Sequence, residues 1–329
     1  MTLKLSRKSL LKEGTEKIYI IYHRSDTDGK CGGAIIRYYC ENILGKTPNM
    51  IPMDYGDNTD WADSINEGDG IYIVDFSLPK KMMDFFNKNN DLYWFDHHIS
   101  AIEELKDLDI KGDRTTEIAG CMIAYNALLK HYIESKSTQV IKYNVNRIMN
   151  LISDYDNWNE DKYKNNTFKT IVSAFSLYIN VEDNQPNKDI GYNHWVEMLE
   201  NGTIYDKTID EAIALGQLIQ KYLIKINSEK MKNEAFEIKF ENNNAIMAFN
   251  CKGSQSFDSI YDPKIHDMMI TVSIKNDKTY SISLYGTGDK LDLSKIAKKY
   301  KGGGHFNACG FACEDIDFSG KVLKIINPI

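Results

Sequence analysis

Residues 92–100 read LYWFDHHIS. Leu92 to Phe95 have the composition of a buried strand, and the apolar run stops abruptly at Asp96, His97 and His98. Charged groups are costly to bury unless something compensates them, so a core strand ending in three titratable side chains is delivering them to a site. Three more apolar runs of strand length precede it, at 17–22 (KIYIIY), 49–53 and 71–76 (IYIVDF). Segments with helical patterning lie between and around them at 31–44, 60–67 and 79–89. Strands alternating with helices read as βαβ units, and so as an α/β fold with a mostly parallel sheet and helices on both faces.

Ligands of open α/β sheets bind outside the carboxyl ends of the strands. The first run leads into YHRSDTDGKCGG, which presents His23, Asp26 and Asp28. The run at 71–74 leads into Asp75, and the run at 92–95 into Asp96, His97 and His98. A helix expected over about 139–153 ends in SDYDNW, which offers Asp154 and Asp156. Taken singly, DTDG is a common turn sequence, Asp75 a cap for the helix beginning near Pro79, and the histidine pair half-buried polar packing. Together, at three successive strand ends, they read as a carboxylate cluster that a cation must neutralise. Carboxylate and imidazole ligands suit Mn²⁺, Mg²⁺ or Zn²⁺. One aspartate shared between two ions makes a two-metal site, and Asp75 is the expected bridge.

The chain has 329 residues, 42% hydrophobic and 26% charged, enough for two domains. Its net charge of -7 argues against the broad basic surface that grips long nucleic acid, so an anionic substrate is expected to be short. The six cysteines lack C-x-x-C spacing and read as free thiols of a reducing cytosol. The polar, Lys-rich start lacks a signal peptide and no apolar run has the length of a membrane span, so a cytoplasmic location is expected.

TTEIAGCMIAYNALLKHYI reads as a helix capped at Thr115 or Thr116, and 203–234 as a long amphipathic helix. Beyond it FEIKF, AIMAF, MMITVSI and YSISLYG are short β-rich runs, ENNNA (241–245) is a hairpin turn, and LSKIAKKY is a helix. The expected organisation is a metal-binding catalytic domain over 1–165, a helical connector over 166–235 and a smaller α+β domain over 236–329. In that last domain Gly302, Gly303, Gly304 and His305, beside Lys298, Lys299 and Lys301, read as a phosphate-gripping loop. Arg114 is a candidate phosphate ligand, while His131 and His194 read as structural or surface residues and His266 as a loop residue.

HRSDTDG (23–29), VDFS (74–77), DHH (96–98) and SDYDNW (153–158) resemble the four motifs of the DHH phosphoesterase superfamily. GGGHFNACGF (302–311) resembles the glycine-rich signature of the accompanying DHHA1 domain. The DYDNW and SISLYG segments are most similar to the nano-RNase branch, phosphodiesterases of short oligoribonucleotides. The resemblance implies that His23, Asp26 and Asp75 hold one metal and that Asp28, Asp75, His97 and Asp154 hold the other. It implies that His98 faces the substrate phosphate, that Asp96 supports the histidines from behind, and that the two ions are Mn²⁺, with Mg²⁺ as a substitute. Relatives carry an arginine in the strand before the glycine run where this chain has SLYGTG, and Tyr285 is a candidate for base stacking in its place. The expected activity is hydrolysis of short oligonucleotides or dinucleotides to mononucleotides, with no long duplex and no membrane as partner. Cyclic or linear dinucleotide signals, 3′,5′-bisphosphorylated adenosine, inorganic polyphosphate, and a catalytically silent nucleotide sensor stand as alternatives; a homodimer is left open.

Overall fold

Parallel strands need helical crossovers, and four strands with that connectivity open the chain: β1 (Ile18–His23), β2 (Asn49–Met53), β3 (Gly70–Val74) and β4 (Asp91–Phe95). The structure is a computed structural model and describes residues 15–157, 166–182, 188–318 and 321–329. The chain divides into two compact units, Met1–Gln217 and Leu218–Ile329.

In the first unit all four strands are parallel, in the order β2-β1-β3-β4. The connection direction reverses between β1 and β3, which places the switch point of the sheet between their carboxyl ends. Successive side chains point to opposite faces, and both faces are apolar. Ile20, Tyr72, Val74 and Phe95 belong to one core cluster, while Ile21, Ile71, Ile73 and Trp94 belong to another. That two-sided burial explains why these strands read as continuous apolar runs and not as alternating ones.

One face is covered by α1 (Thr27–Tyr39), α4 (Gly120–Leu128) and α6 (Gln139–Asp156), which share the first cluster. The other is covered by α2 (Lys80–Asn89) and α3 (Ile99–Leu105), whose Met83, Phe86, Ala101 and Leu105 fill the second. Next come α5 (Lys130–Lys136), α7 (Asn166–Glu182), α8 (Lys188–Asn201) and α9 (Ile209–Glu234).

The helix expected over 60–67 is a short 3-10 turn, Asp60–Ser64, with no buried residue. Trp61, Ala62 and Ile65 pack only partly buried against the second cluster, too little burial to sustain a longer helix. The helix expected to start at Thr115 starts at Gly120 and breaks at Leu129. The preceding residues run beside β4 instead, through bridges Tyr93–Lys111 and Asp96–Arg114.

The second unit carries a mixed sheet of β5 (Phe236–Phe240), β6 (Asn243–Phe249), β7 (Met268–Ile274), β8 (Tyr280–Tyr285), β9 (Gly303–Gly304), β10 (Ala308–Asp317) and β11 (Lys324–Pro328). The order is β11-β10-β8-β7-β6-β5, with β9 on β10 and only β6–β7 parallel. β5 and β6 form a hairpin whose two turn residues, Glu241 and Asn242, have φ of 50° and 64°. Positive φ at both positions is the two-residue geometry that matches strand twist. Helix α10 (Leu293–Lys299) buries Leu293, Ile296 and Ala297 in the same cluster as Ile282, Leu284 and Phe311. All six cysteines are free and buried. No helix among the described residues is long and apolar enough to cross a membrane.

Candidate metal centre

The DTDG stretch is the start of a helix. Asp26 is the N-cap of α1, its Oδ1 accepting the N–H of Gly29 at 2.8 Å. A Cβ on Gly29 would lie 2.1 Å from the carbonyl oxygen of His23, so only glycine lets the helix fold back so closely over the end of β1. Asp28, 1% exposed, accepts the N–H groups of Gly120 (2.8 Å) and Cys121 (2.7 Å). It thereby caps α4, where the helix dipole favours negative charge. Burial, then the charges of Asp75 and Asp156, push the Asp28 carboxyl well above the usual carboxylate range.

Asp75 follows β3 with φ of 52°, unusual for a residue with a side chain. Its carboxylate is 1% exposed, with Oδ1 3.2 Å from His97 Nε2 and 3.6 Å from His98 Nδ1, and Oδ2 3.7 Å from His23 Nδ1. Burial alone would raise its pKa, but His23 and His97 hold it well below the usual range. Its Oδ2 is buried and accepts no hydrogen bond.

His23 lies with Nδ1 2.5 Å from Asp26 Oδ2 and Nε2 3.4 Å from Asp54 Oδ1. Burial opposes its protonation, but Asp26, Asp54 and Asp75 outweigh burial and raise its pKa. Asp54 follows β2, so all four strand ends lead into a carboxylate. Asp54 is legible by the same strand-end rule that singles out the residues after β1, β3 and β4, applied to β2.

Asp96 is completely buried and fully engaged. Its Oδ1 accepts from the backbone of His97 (2.7 Å) and His98 (3.1 Å) and lies 2.8 Å from His98 Nδ1, while Oδ2 accepts from the Trp94 indole at 3.1 Å. Burial lowers the His98 pKa, but Asp96 and Asp75 carry it up to about 9. The Asn157 side-chain amide lies 2.9 Å from His97 Nδ1, leaving Nε2 toward the carboxylates. Such outer contacts fix the ring orientation of a metal-ligating histidine.

The helix-borne carboxylate at this cluster is Asp156, its Oδ2 3.0 Å from His97 Nε2. Asp154, the residue assigned by resemblance, is also on α6 and buried at 7% exposure; neither it nor Asp156 belongs to the ligand groups found among the described residues. Two residues along a helix are about 200° apart around its axis, so the two aspartates face different ways. Trp158 of the SDYDNW segment lies outside the described residues.

Three ligand groups share Asp75: His23–Asp26–Asp75, Asp28–Asp75–His97 and Asp75–Asp96–His98, each with donor atoms within 4.8 Å of one another. In the third, Asp96 already uses both oxygens in hydrogen bonds, Oδ1 in three of them, which leaves the first two as the groups open to a cation. A buried carboxylate oxygen without a hydrogen bond, crowded by other carboxylates and imidazoles, fits a divalent cation of the Mn²⁺, Mg²⁺ or Zn²⁺ kind. A cavity of about 210 Å³ adjoins the centre, lined by Asp26, Asp28 and Asp156 together with Leu151, Ile152 and Phe175.

Arg114, expected at a phosphate, is turned to the backbone. Its Nη1 donates to the carbonyls of Gly112 (2.9 Å), Lys111 (3.2 Å) and Trp94 (3.3 Å), and the guanidinium lies 5.3 Å over the Trp94 ring. The remaining candidates are in the second unit. Tyr285 ends β8 half-buried, packed at the edge of the cluster containing Phe257 and Met269. Gly303 and Gly304 form β9 on β10, and a Cβ on Gly302 would lie 2.0 Å from the Gly310 carbonyl, so the run is tight against its neighbour. Nothing lies within 4 Å of a Cβ built on Gly303, and the His305 N–H is bonded to Ala308 O at 2.7 Å.

No family model matches the chain. An uncharacterised protein of Acanthamoeba polyphaga mimivirus is 26% identical over 318 residues, spanning 90% of this chain and 68% of that one. Among solved structures, the chain is similar to an exopolyphosphatase-related protein from Bacteroides fragilis, with a TM-score of 0.52 at 16% identity, over 90% of this chain and 87% of that one. A pGpG-specific phosphodiesterase of Vibrio cholerae gives a TM-score of 0.47 at 12% identity, over 90% of this chain and 92% of that one. The Bacteroides likeness shows a shared fold.

Proposed function

We propose that the chain is a two-metal phosphodiesterase that hydrolyses short oligonucleotides or dinucleotides to mononucleotides, of the nano-RNase kind, with Mn²⁺ as its metal. The observation that carries this reading is the Asp75 carboxylate, shared by the two open ligand groups at the switch point of the sheet. His23, Asp26 and Asp75 would hold one cation; Asp28, Asp75, His97 and Asp156 would hold the other. Such a pair, when bound, lowers the pKa of a water and neutralises phosphate oxygens. Asp96 fixes His98 through Nδ1, and a histidine so held can protonate a leaving oxygen or steady the charge on a phosphate. Asp54 and the Asn157 amide hold the rings of His23 and His97 at their outer nitrogens. The glycine run with His305 is the proposed grip on a substrate phosphate.

The test is incubation of the pure chain with Mn²⁺ and a 5′-phosphorylated di- to pentanucleotide. Mononucleotide release that is lost with chelator and reduced at least 100-fold in Asp75→Ala is expected. No release, or release indifferent to Asp75→Ala, would sink the reading.

A further inference from the structure

Single exposed aromatic side chains are common on protein surfaces and need no explanation. Tyr55 is different in what holds it and what it borders. It is 58% exposed, yet its ring lies 4.8 Å from that of Phe76, which is only 3% exposed and belongs to the core under β3. Its backbone N–H is bonded to Asp54 Oδ1 at 2.8 Å, and Asp54 in turn accepts from Ser25 Oγ at 2.5 Å. The loop closes through the Asp54 N–H on Asp57 Oδ2 (2.8 Å), while Asp57 is clamped by both terminal nitrogens of Arg24. A short charged network therefore pins an aromatic face in the open. The His23 ring completes a triangle with those of Tyr55 and Phe76, 5.9 Å from the first and 6.1 Å from the second, and its Nδ1 faces Asp26 and Asp75.

We infer that Tyr55, backed by Phe76, is a stacking platform for the base attached to the phosphate at the centre, and that the substrate is a nucleotide ester and not an inorganic polyphosphate. The inference rests on the phosphodiesterase reading for the position of the phosphate. Aromatic faces bind every base through its π-surface, which gives affinity without sequence preference. A polyphosphate has no such surface, so a pinned and exposed ring beside the metal ligands would contribute nothing to its binding. A substrate whose base lies over Tyr55 also needs little positive surface, in keeping with a net charge of -7.

The experiment compares Tyr55→Ala, Tyr55→Phe and wild type with Mn²⁺ on three substrates: a 5′-phosphorylated dinucleotide, its abasic counterpart with the same backbone, and tripolyphosphate. Wild type is expected to prefer the dinucleotide over both others. Tyr55→Ala is expected to raise the dinucleotide KM by about tenfold or more and to shrink the preference over the abasic ester by the same factor, with kcat little changed. Tyr55→Phe keeps the ring and should restore the wild-type preference. Equal losses on the basic and abasic esters, or none on either, would overturn the assignment, as would faster turnover of tripolyphosphate than of dinucleotide. Binding of AMP, read from NMR ring-proton shifts of Tyr55, does not depend on turnover. Shifts without hydrolysis of any ester would leave the platform standing and sink the proposed reaction; hydrolysis without shifts would do the reverse.

Discussion

Gly120 has no room for a methyl group. A Cβ there would come within 2.9 Å of the Asp75 Cβ and 3.1 Å of its Cα. Asp75 already sits at positive φ, so it has little freedom to yield without moving its carboxylate. Gly120→Ala should therefore weaken Mn²⁺ binding by about tenfold or more while the chain stays folded, the range seen when the support of a metal ligand is disturbed. Calorimetric titration with circular dichroism as the folding control checks this; unchanged affinity would show that helix α4 shifts instead. The same titration separates the two aspartates of α6. Asp156→Ala is expected to lose far more affinity than Asp154→Ala, because Asp156 Oδ2 lies 3.0 Å from His97 Nε2. Equal losses would return Asp154 to the centre. At this scale the legible residues were those that end a strand, since a strand end has one direction in which to deliver its side chains. Choosing between Asp154 and Asp156 needs the rotational setting of a helix against the sheet, which depends on packing and not on local pattern.

The turn from β4 into α3 shows what an element can and cannot announce about itself. The strand was readable from LYWF alone, and its end from DHH, because a buried parallel strand carries apolar side chains on both faces. What holds the turn was not readable. The Trp94 indole donates to both Phe76 O (3.0 Å) and Asp96 Oδ2 (3.1 Å), joining β4 to the segment after β3. Trp94→Phe removes that N–H and leaves two buried acceptors short of a donor. The expected cost is about 1–3 kcal/mol of stability, read from urea unfolding, together with weaker metal binding as Asp96 loses its anchor. A midpoint within error of wild type would mean that water replaces the indole. Helix α4 makes the complementary case. Its cap, expected at Thr115 or Thr116 next door in sequence, is supplied by Asp28 from 92 residues away. Caps of that range leave no trace in a local window.

The two units have separate cores, so a cation that binds the ligands of the first unit need not stabilise the second. In the metal-free protein the His23 and His97 pKa values are raised above the ordinary 6.5 by their carboxylate neighbours, against the effect of burial. A raised folded-state value means that these histidines stabilise the fold fully below about pH 6.5 and lose that contribution as pH climbs through the folded-state values. A cation needs the same nitrogens without their protons, so its binding releases protons and strengthens as pH rises. The two effects run in opposite directions. Scanning calorimetry from pH 6 to pH 9 should find the metal-free first unit less stable at each step. The gain from Mn²⁺ at fixed concentration should grow over the same range, reaching about 2.7 kcal/mol where the free ion is 100 times its Kd. The transition of the second unit should not move with Mn²⁺. Titrations in two buffers of different ionisation enthalpy supply the proton count directly. A Mn²⁺ gain independent of pH, or shared equally by both transitions, would mean that the cation is held somewhere other than among His23, Asp75 and His97.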